Sequence, residues 1–123
     1  MKYLVDTRFL QRLRRDSQRL HLLETDSHSP QTLDRLTRIL SGLPLDLLFI
    51  DGDHSYRGAK RDFVMYSQLV RKGGIIAFHD VLHHTDPSIG VERLWTELKD
   101  RYATKEIVHN GEKGWGGIGV IFK

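Results

Sequence analysis

Residues 45–63, LDLLFIDGDHSYRGAKRDF, and residues 69–80, LVRKGGIIAFHD, decide how this chain folds. Leu45, Leu47, Leu48, Phe49 and Ile50 form a nearly continuous apolar run, the pattern of a strand covered on both faces in a parallel sheet. The run stops at Asp51. Ala59, Phe63, Tyr66 and Val70 then recur at helical spacing, and Lys72 with the Gly73, Gly74 pair is expected to close that helix. Residues 75–78 are a second short apolar run, ending at His79 and Asp80. Strand, helix and strand in this order predict a parallel crossover unit whose two strand ends carry acidic residues and histidines.

Working outward, residues 2–5 are apolar and end at Asp6, and Phe9, Leu10 and Leu13 follow at helical spacing among arginines. A second apolar run, residues 20–23, leads to the polar cluster Asp26, Ser27, His28. Ser29 before Pro30 reads as an N-cap with proline at the first helical position, and Leu33, Leu36, Ile39 and Leu40 line one helical face as far as Gly42. On the other side, Asp86 before Pro87 predicts a helix with Val91, Leu94, Trp95, Leu98 and Tyr102 on one face. Residues 105–109 and 117–122 read as two closing strands joined by a glycine-rich turn that includes Trp115, a packed turn residue or a lid. The expected fold is a single α/β domain over residues 1–123, Rossmann-like, with a mostly parallel sheet and a C-terminal antiparallel hairpin.

At 123 residues, with 39% hydrophobic and 28% charged residues, the chain is long enough to bury a core without cross-links. It has no cysteine, which excludes disulfides, thiolate metal sites and cysteine nucleophiles and points to a cytoplasmic setting. No apolar run approaches the ~20 residues that span a bilayer, so no membrane partner is expected. The net charge of +3 gathers around Arg8, Arg12, Arg14, Arg15 and Arg19. Phe9 is the single aromatic residue among them, too few to stack on successive bases, which favours a solvated helix face over a nucleic-acid patch.

Ligands of parallel α/β sheets bind beyond the carboxyl ends of the strands. Asp51 and Asp80 end neighbouring strands, so two carboxylates come within reach of one ion, with His54 and His79 beside them. The competing reading makes Asp51 a helix cap and leaves His79 and Asp80 as the start of a turn.

The segments IDGDHSY, residues 50–56, and GGIIAFHD, residues 73–80, resemble the fourth and fifth strands of class I S-adenosylmethionine-dependent methyltransferases. The likeness is to the group that includes cephalosporin-hydroxylase-like and sugar O-methyltransferases. LHLLETDSHSPQTL, residues 20–33, resembles that group's third strand and following loop, and the resemblance covers about residues 19–102. It implies metal-assisted methyl transfer from S-adenosylmethionine to a hydroxyl of a small molecule such as a sugar, a phenol or a secondary metabolite. Asp51, His79 and Asp80 would be ligands of a divalent metal, magnesium or manganese. His54 would be the general base, and Asp26, Ser27 and His28 would border the adenine. Asp6 would hold the ribose hydroxyls.

The family's first strand and glycine-rich cofactor loop have no counterpart in these 123 residues. Three explanations stand side by side: an omitted N-terminal part, a short protein that completes its sheet as a homo-oligomer, and a truncated, catalytically silent relative serving as a binding or scaffold domain. A non-haem iron oxygenase is a further alternative, because His84, Thr85 and Asp86 form an H-x-D string. His83 and His84 are candidates for the acceptor pocket or for exposed loop positions.

Overall fold

The computed structural model describes residues 7–109 and 116–123. Its centre is a parallel pair, β1 (Leu45–Ile50) and β2 (Val70–His79), joined through α3 (Tyr56–Tyr66) and a 3₁₀ turn at Ser67–Leu69. Before them lie α1 (Thr7–Leu13) and α2 (Pro30–Leu40); after them come α4 (Val91–Lys99), β3 (Ala103–Ile107) and β4 (Ile118–Phe122). The sheet order is β1-β2-β4-β3, with β4 antiparallel to both β2 and β3. The C-terminal hairpin is therefore present, with its first strand at Ala103–Ile107 rather than at residues 105–109.

The described sheet is mixed, with one parallel and two antiparallel pairs, rather than mostly parallel. Residues 20–23 are the reason within the described chain: they are not a strand, because their backbone finds no ladder partner. The expected strand at residues 2–5, Asp6, and the turn residues up to Trp115 lie outside the described residues.

The core fills the space between one sheet face and helices α3 and α4. Ile50, Ile76, Phe78 and Ile121 of the sheet meet Ala59, Val91, Leu94, Trp95 and Leu98. Burying each large side chain of this kind is worth roughly 1.5–3 kcal/mol. Trp95 sits over Gly119, where a Cβ would stand 2.7 Å from the indole ring, and its Nε1 donates to Glu106 Oε1 at 2.6 Å. Phe78 packs tilted against both Trp95 and Phe63, with ring centroids 6.2 and 5.8 Å apart.

Three local readings of the sequence are corrected. The strand at Leu45–Ile50 is not covered on both faces: Leu47 is 57% exposed and Phe49 48%, because β1 is the edge of the described sheet and α3 and α4 cover only one side. The Gly73, Gly74 pair does not end a helix. The helix stops at Tyr66, and the glycines form an irregularity within β2, where Gly73 has φ 74° and the register to β1 shifts between Leu45 and Leu47. The helix expected from Asp86 begins instead at Val91, since Asp86 Oδ1 accepts from Ser88 N (2.9 Å) and Ser88 Oγ (2.7 Å) and so caps a separate turn. By contrast, α2 starts at Pro30 and ends in left-handed Ser41 and Gly42, as its signals indicate.

Candidate active site

The parallel register pairs Ile50 with Phe78, so the chain leaves β1 at Asp51 and β2 at His79 and Asp80 on the same edge of the sheet. The loop after β1 is held by its own side chains. Asp53 Oδ1 accepts from Ser55 N at 2.9 Å, and Ser55 Oγ accepts from Gly58 N at 3.0 Å, capping α3. The bonds from the Ser55 backbone and then its hydroxyl hold the Asp53 carboxyl below its ordinary pKa. Gly58 is required here, because a Cβ would fall 2.1 Å from Asp53 Cγ. Gly90 N donates to His54 O at 2.8 Å, tying this loop to the start of α4. Asp80 takes a left-handed backbone, φ 61°, which turns its carboxylate back over the strand end, where it is 5% exposed.

Four side chains converge as a result. Asp51, His54 and Asp80 each offer a ligand atom, all within 4.8 Å of one another. His54 Nε2 lies 3.5 Å from Asp51 Oδ1, and its Nδ1 pairs with Asp80 Oδ2. His79 Nδ1 lies 3.0 Å from Asp80 Oδ1 and 3.6 Å from Asp51 Oδ1, yet it is buried and makes no directed hydrogen bond. A buried ring nitrogen without a hydrogen bond, facing two carboxylates, is a donor set suited to a divalent cation. All four residues named from the sequence thus share one edge.

Beside this edge an open groove of about 360 Å³ runs between β1, α2 and α3, with Ser27, Asp51, Gly52, Asp62 and Tyr66 among its walls. That volume lies within the range of small-molecule and cofactor sites. Ser27 is the one member of the Asp26, Ser27, His28 cluster that lines it. Asp26 is turned to its own loop, accepting from His28 N at 2.8 Å. His28 faces α3 instead, with Nε2 3.2 Å from Gly58 O and 3.4 Å from Asp62 Oδ1. Asp62 and Tyr66 were not named as site residues from the sequence, because at helical spacing they look like one polar and one core position. The Tyr66 hydroxyl donates to Ser27 O at 2.5 Å; burial first, then the negative charges of Asp62 and Asp26, raise its pKa.

His83 is exposed and bonds Glu92 Oε2 at 3.0 Å, while His84 Nδ1 accepts from Asp86 N at 3.1 Å. Neither joins the Asp51, His54, Asp80 group.

Comparison with known proteins agrees with the α/β fold. Residues 5–81 match a protein-family model described as a methyltransferase domain. An O-methyltransferase from Bacillus cereus, solved in complex with SAH, superposes with TM-score 0.50 at 26% identity, covering 75% of this chain and 47% of that one. The MycE methyltransferase of the mycinamycin biosynthetic pathway, in complex with Mg, SAH and mycinamycin VI, gives TM-score 0.56 at 19% identity, covering 82% of this chain and 31% of that one; this shows a shared fold. An uncharacterized protein of Acanthamoeba polyphaga mimivirus is 52% identical over 44 residues, 34% of this chain and 20% of its own length. The chain spans less than half the length of each of these relatives. It belongs to the methyltransferase-domain family.

Proposed function

We propose, starting from its membership of the methyltransferase-domain family, that this protein is an S-adenosylmethionine-dependent, divalent-metal-assisted O-methyltransferase acting on a small-molecule hydroxyl. The observation that carries the reading is the convergence of Asp51, His54, His79 and Asp80 at the end of the parallel strand pair. Asp51, Asp80 and His79 Nδ1 would hold magnesium or manganese. When bound, the ion orients the acceptor hydroxyl and lowers its pKa, and the cofactor supplies the methyl group. The groove containing Ser27 and Gly52 would take the adenosyl part of the cofactor, with Asp26 and His28 setting its rim through the loop they brace. Asp6, assigned to the ribose, is part of the same proposal.

His54 is suited to the base role by its two ring nitrogens. Its Nδ1 is oriented by the Asp80 carboxylate, which fixes the tautomer and leaves Nε2 to accept the hydroxyl proton. A second reading has His54 as a metal ligand itself, favoured by the common 4.8 Å reach of Asp51, His54 and Asp80. His54→Gln separates the two: weaker Mn²⁺ binding marks a ligand, whereas slower turnover with unchanged Mn²⁺ and cofactor affinity marks a base. A single methyltransferase unit over residues 1–123, a cytoplasmic setting and assembly with a second copy belong to the same proposal. The alternative from another class is a silent scaffold that keeps the fold.

The test of the site is Mn²⁺ titration followed by electron paramagnetic resonance. Asp51→Ala and Asp80→Ala are each expected to abolish binding with the circular dichroism spectrum unchanged. Full Mn²⁺ affinity in both variants would refute the assignment.

A further inference from the structure

A second groove, of about 640 Å³, opens where α3 and α4 begin; Ser55, Tyr56 and Arg57 line it on the α3 side and Ser88, Gly90 and Arg93 on the α4 side. It adjoins the site above through His54, which precedes Ser55 in the chain and whose carbonyl accepts from Gly90 N at 2.8 Å. The sequence reading gave this surface no role.

We infer that this groove takes an acidic group of the methyl acceptor, so that the substrates are hydroxyl compounds bearing a carboxylate or phosphate. The inference rests on the reading of Asp51 and Asp80 as the place of methyl transfer. Two arginines carry it. Arg57 is exposed and, among the described residues, makes no ion pair or hydrogen bond. Arg93 lies flat enough over Tyr56 to place its guanidinium carbon 4.1 Å from the ring centroid, while its side chain stays 72% exposed. Its carboxylate neighbour, Glu97, is 4.0 Å away and already accepts from the Tyr56 hydroxyl at 2.8 Å and from Lys60 Nζ at 3.1 Å. The donor fork of Arg93 is thus held in position without being consumed. Asp86, which precedes the lining residue Pro87 in the chain, directs Oδ1 to Ser88 N and Oγ.

Positive charge therefore exceeds what the neighbouring carboxylates satisfy, and it sits on planar donors whose spacing matches a carboxylate or phosphate. Tyr56 serves as the platform, with Lys60 Nζ also 4.9 Å from its ring centroid. An acceptor anchored here by its acidic end would extend its remainder toward His54.

The test titrates the full chain, without metal or cofactor, with 3,4-dihydroxybenzoate and separately with catechol, following the arginine Nε–Hε resonances by NMR. The benzoate is expected to bind about tenfold more tightly and to shift the Arg57 and Arg93 signals. Arg57→Gln with Arg93→Gln should erase the preference. Displacement by inorganic phosphate but not by acetate would assign the acidic group as phosphate, and displacement by acetate as carboxylate. No difference between the two compounds, or a preference that survives the double substitution, would overturn the inference. Because neither metal nor cofactor is present, this result is independent of Mn²⁺ binding at Asp51 and Asp80, whose loss would count against the methyl-transfer reading instead.

Discussion

Asp80 links both histidines of the site: one carboxylate oxygen faces His79 and the other pairs with His54. Asp80→Asn keeps the shape and removes the charge. It is expected to lower Mn²⁺ affinity by at least about tenfold, read by the same resonance titration, because a ligand lost from an acidic donor set costs more than one hydrogen bond. A different residue contributes to the pH dependence of stability. Glu106 accepts from Trp95 Nε1 at 2.6 Å and from Lys99 Nζ at 3.0 Å, and these bonds, the tryptophan's first, hold its carboxyl below the ordinary value of 4.5. A carboxyl depressed in the folded state contributes stability above its unfolded pKa and loses it as pH falls through the folded one. Glu106→Gln should therefore destabilise the protein at pH 7 and converge with the parent as the pH drops below about 4.5, as measured by urea unfolding across pH. A constant difference between the two proteins over that range would contradict this linkage.

At the scale of elements, the chain announces its helices through caps and its strand ends through abrupt changes from apolar to acidic. Ser29 with Pro30 places α2 correctly, and the end of the run at Ile50 places Asp51 at the site. The site was legible for this reason: parallel pairing brings the residues after two apolar runs to one edge. What stayed hidden depends on tertiary neighbours. Nothing local distinguishes Gly73 and Gly74 as a helix stop from the irregular strand they form, paired through Gly73 N to Lys123 O at 2.7 Å. Nor does the sequence reveal that Asp62 lines the groove beside β1, since a helix of period 3.6 permits either face. Gly119 is likewise explained only by the indole stacked on it. Gly119→Ala is expected to cost about 1–3 kcal/mol in thermal or chemical unfolding, from overpacking against Trp95. An unchanged melting temperature would mean the indole is free to move away.

For the whole molecule, the sheet has two contrasting sides. One carries α3, α4 and the core; the other leaves Leu47 and Phe49 exposed on β1, an edge strand among the described residues. Such an edge favours pairing with another strand, so self-association rising with concentration is expected, with Phe49→Lys reducing it in sedimentation velocity. No helix among the described residues is long and apolar enough to cross a membrane. The site edge and the 360 Å³ groove share Asp51, and the arginine-lined groove begins at Ser55, next to His54, so the places proposed for metal, cofactor and acceptor adjoin one another. The most direct measurement of this account is calorimetric titration of the folded chain with S-adenosylmethionine, with and without Mg²⁺. The account predicts saturable binding at micromolar concentration in the parent chain, weakened when Ser27 or Gly52 is replaced by a bulky residue. A chain that is folded by circular dichroism but takes up no S-adenosylmethionine under either condition would contradict it.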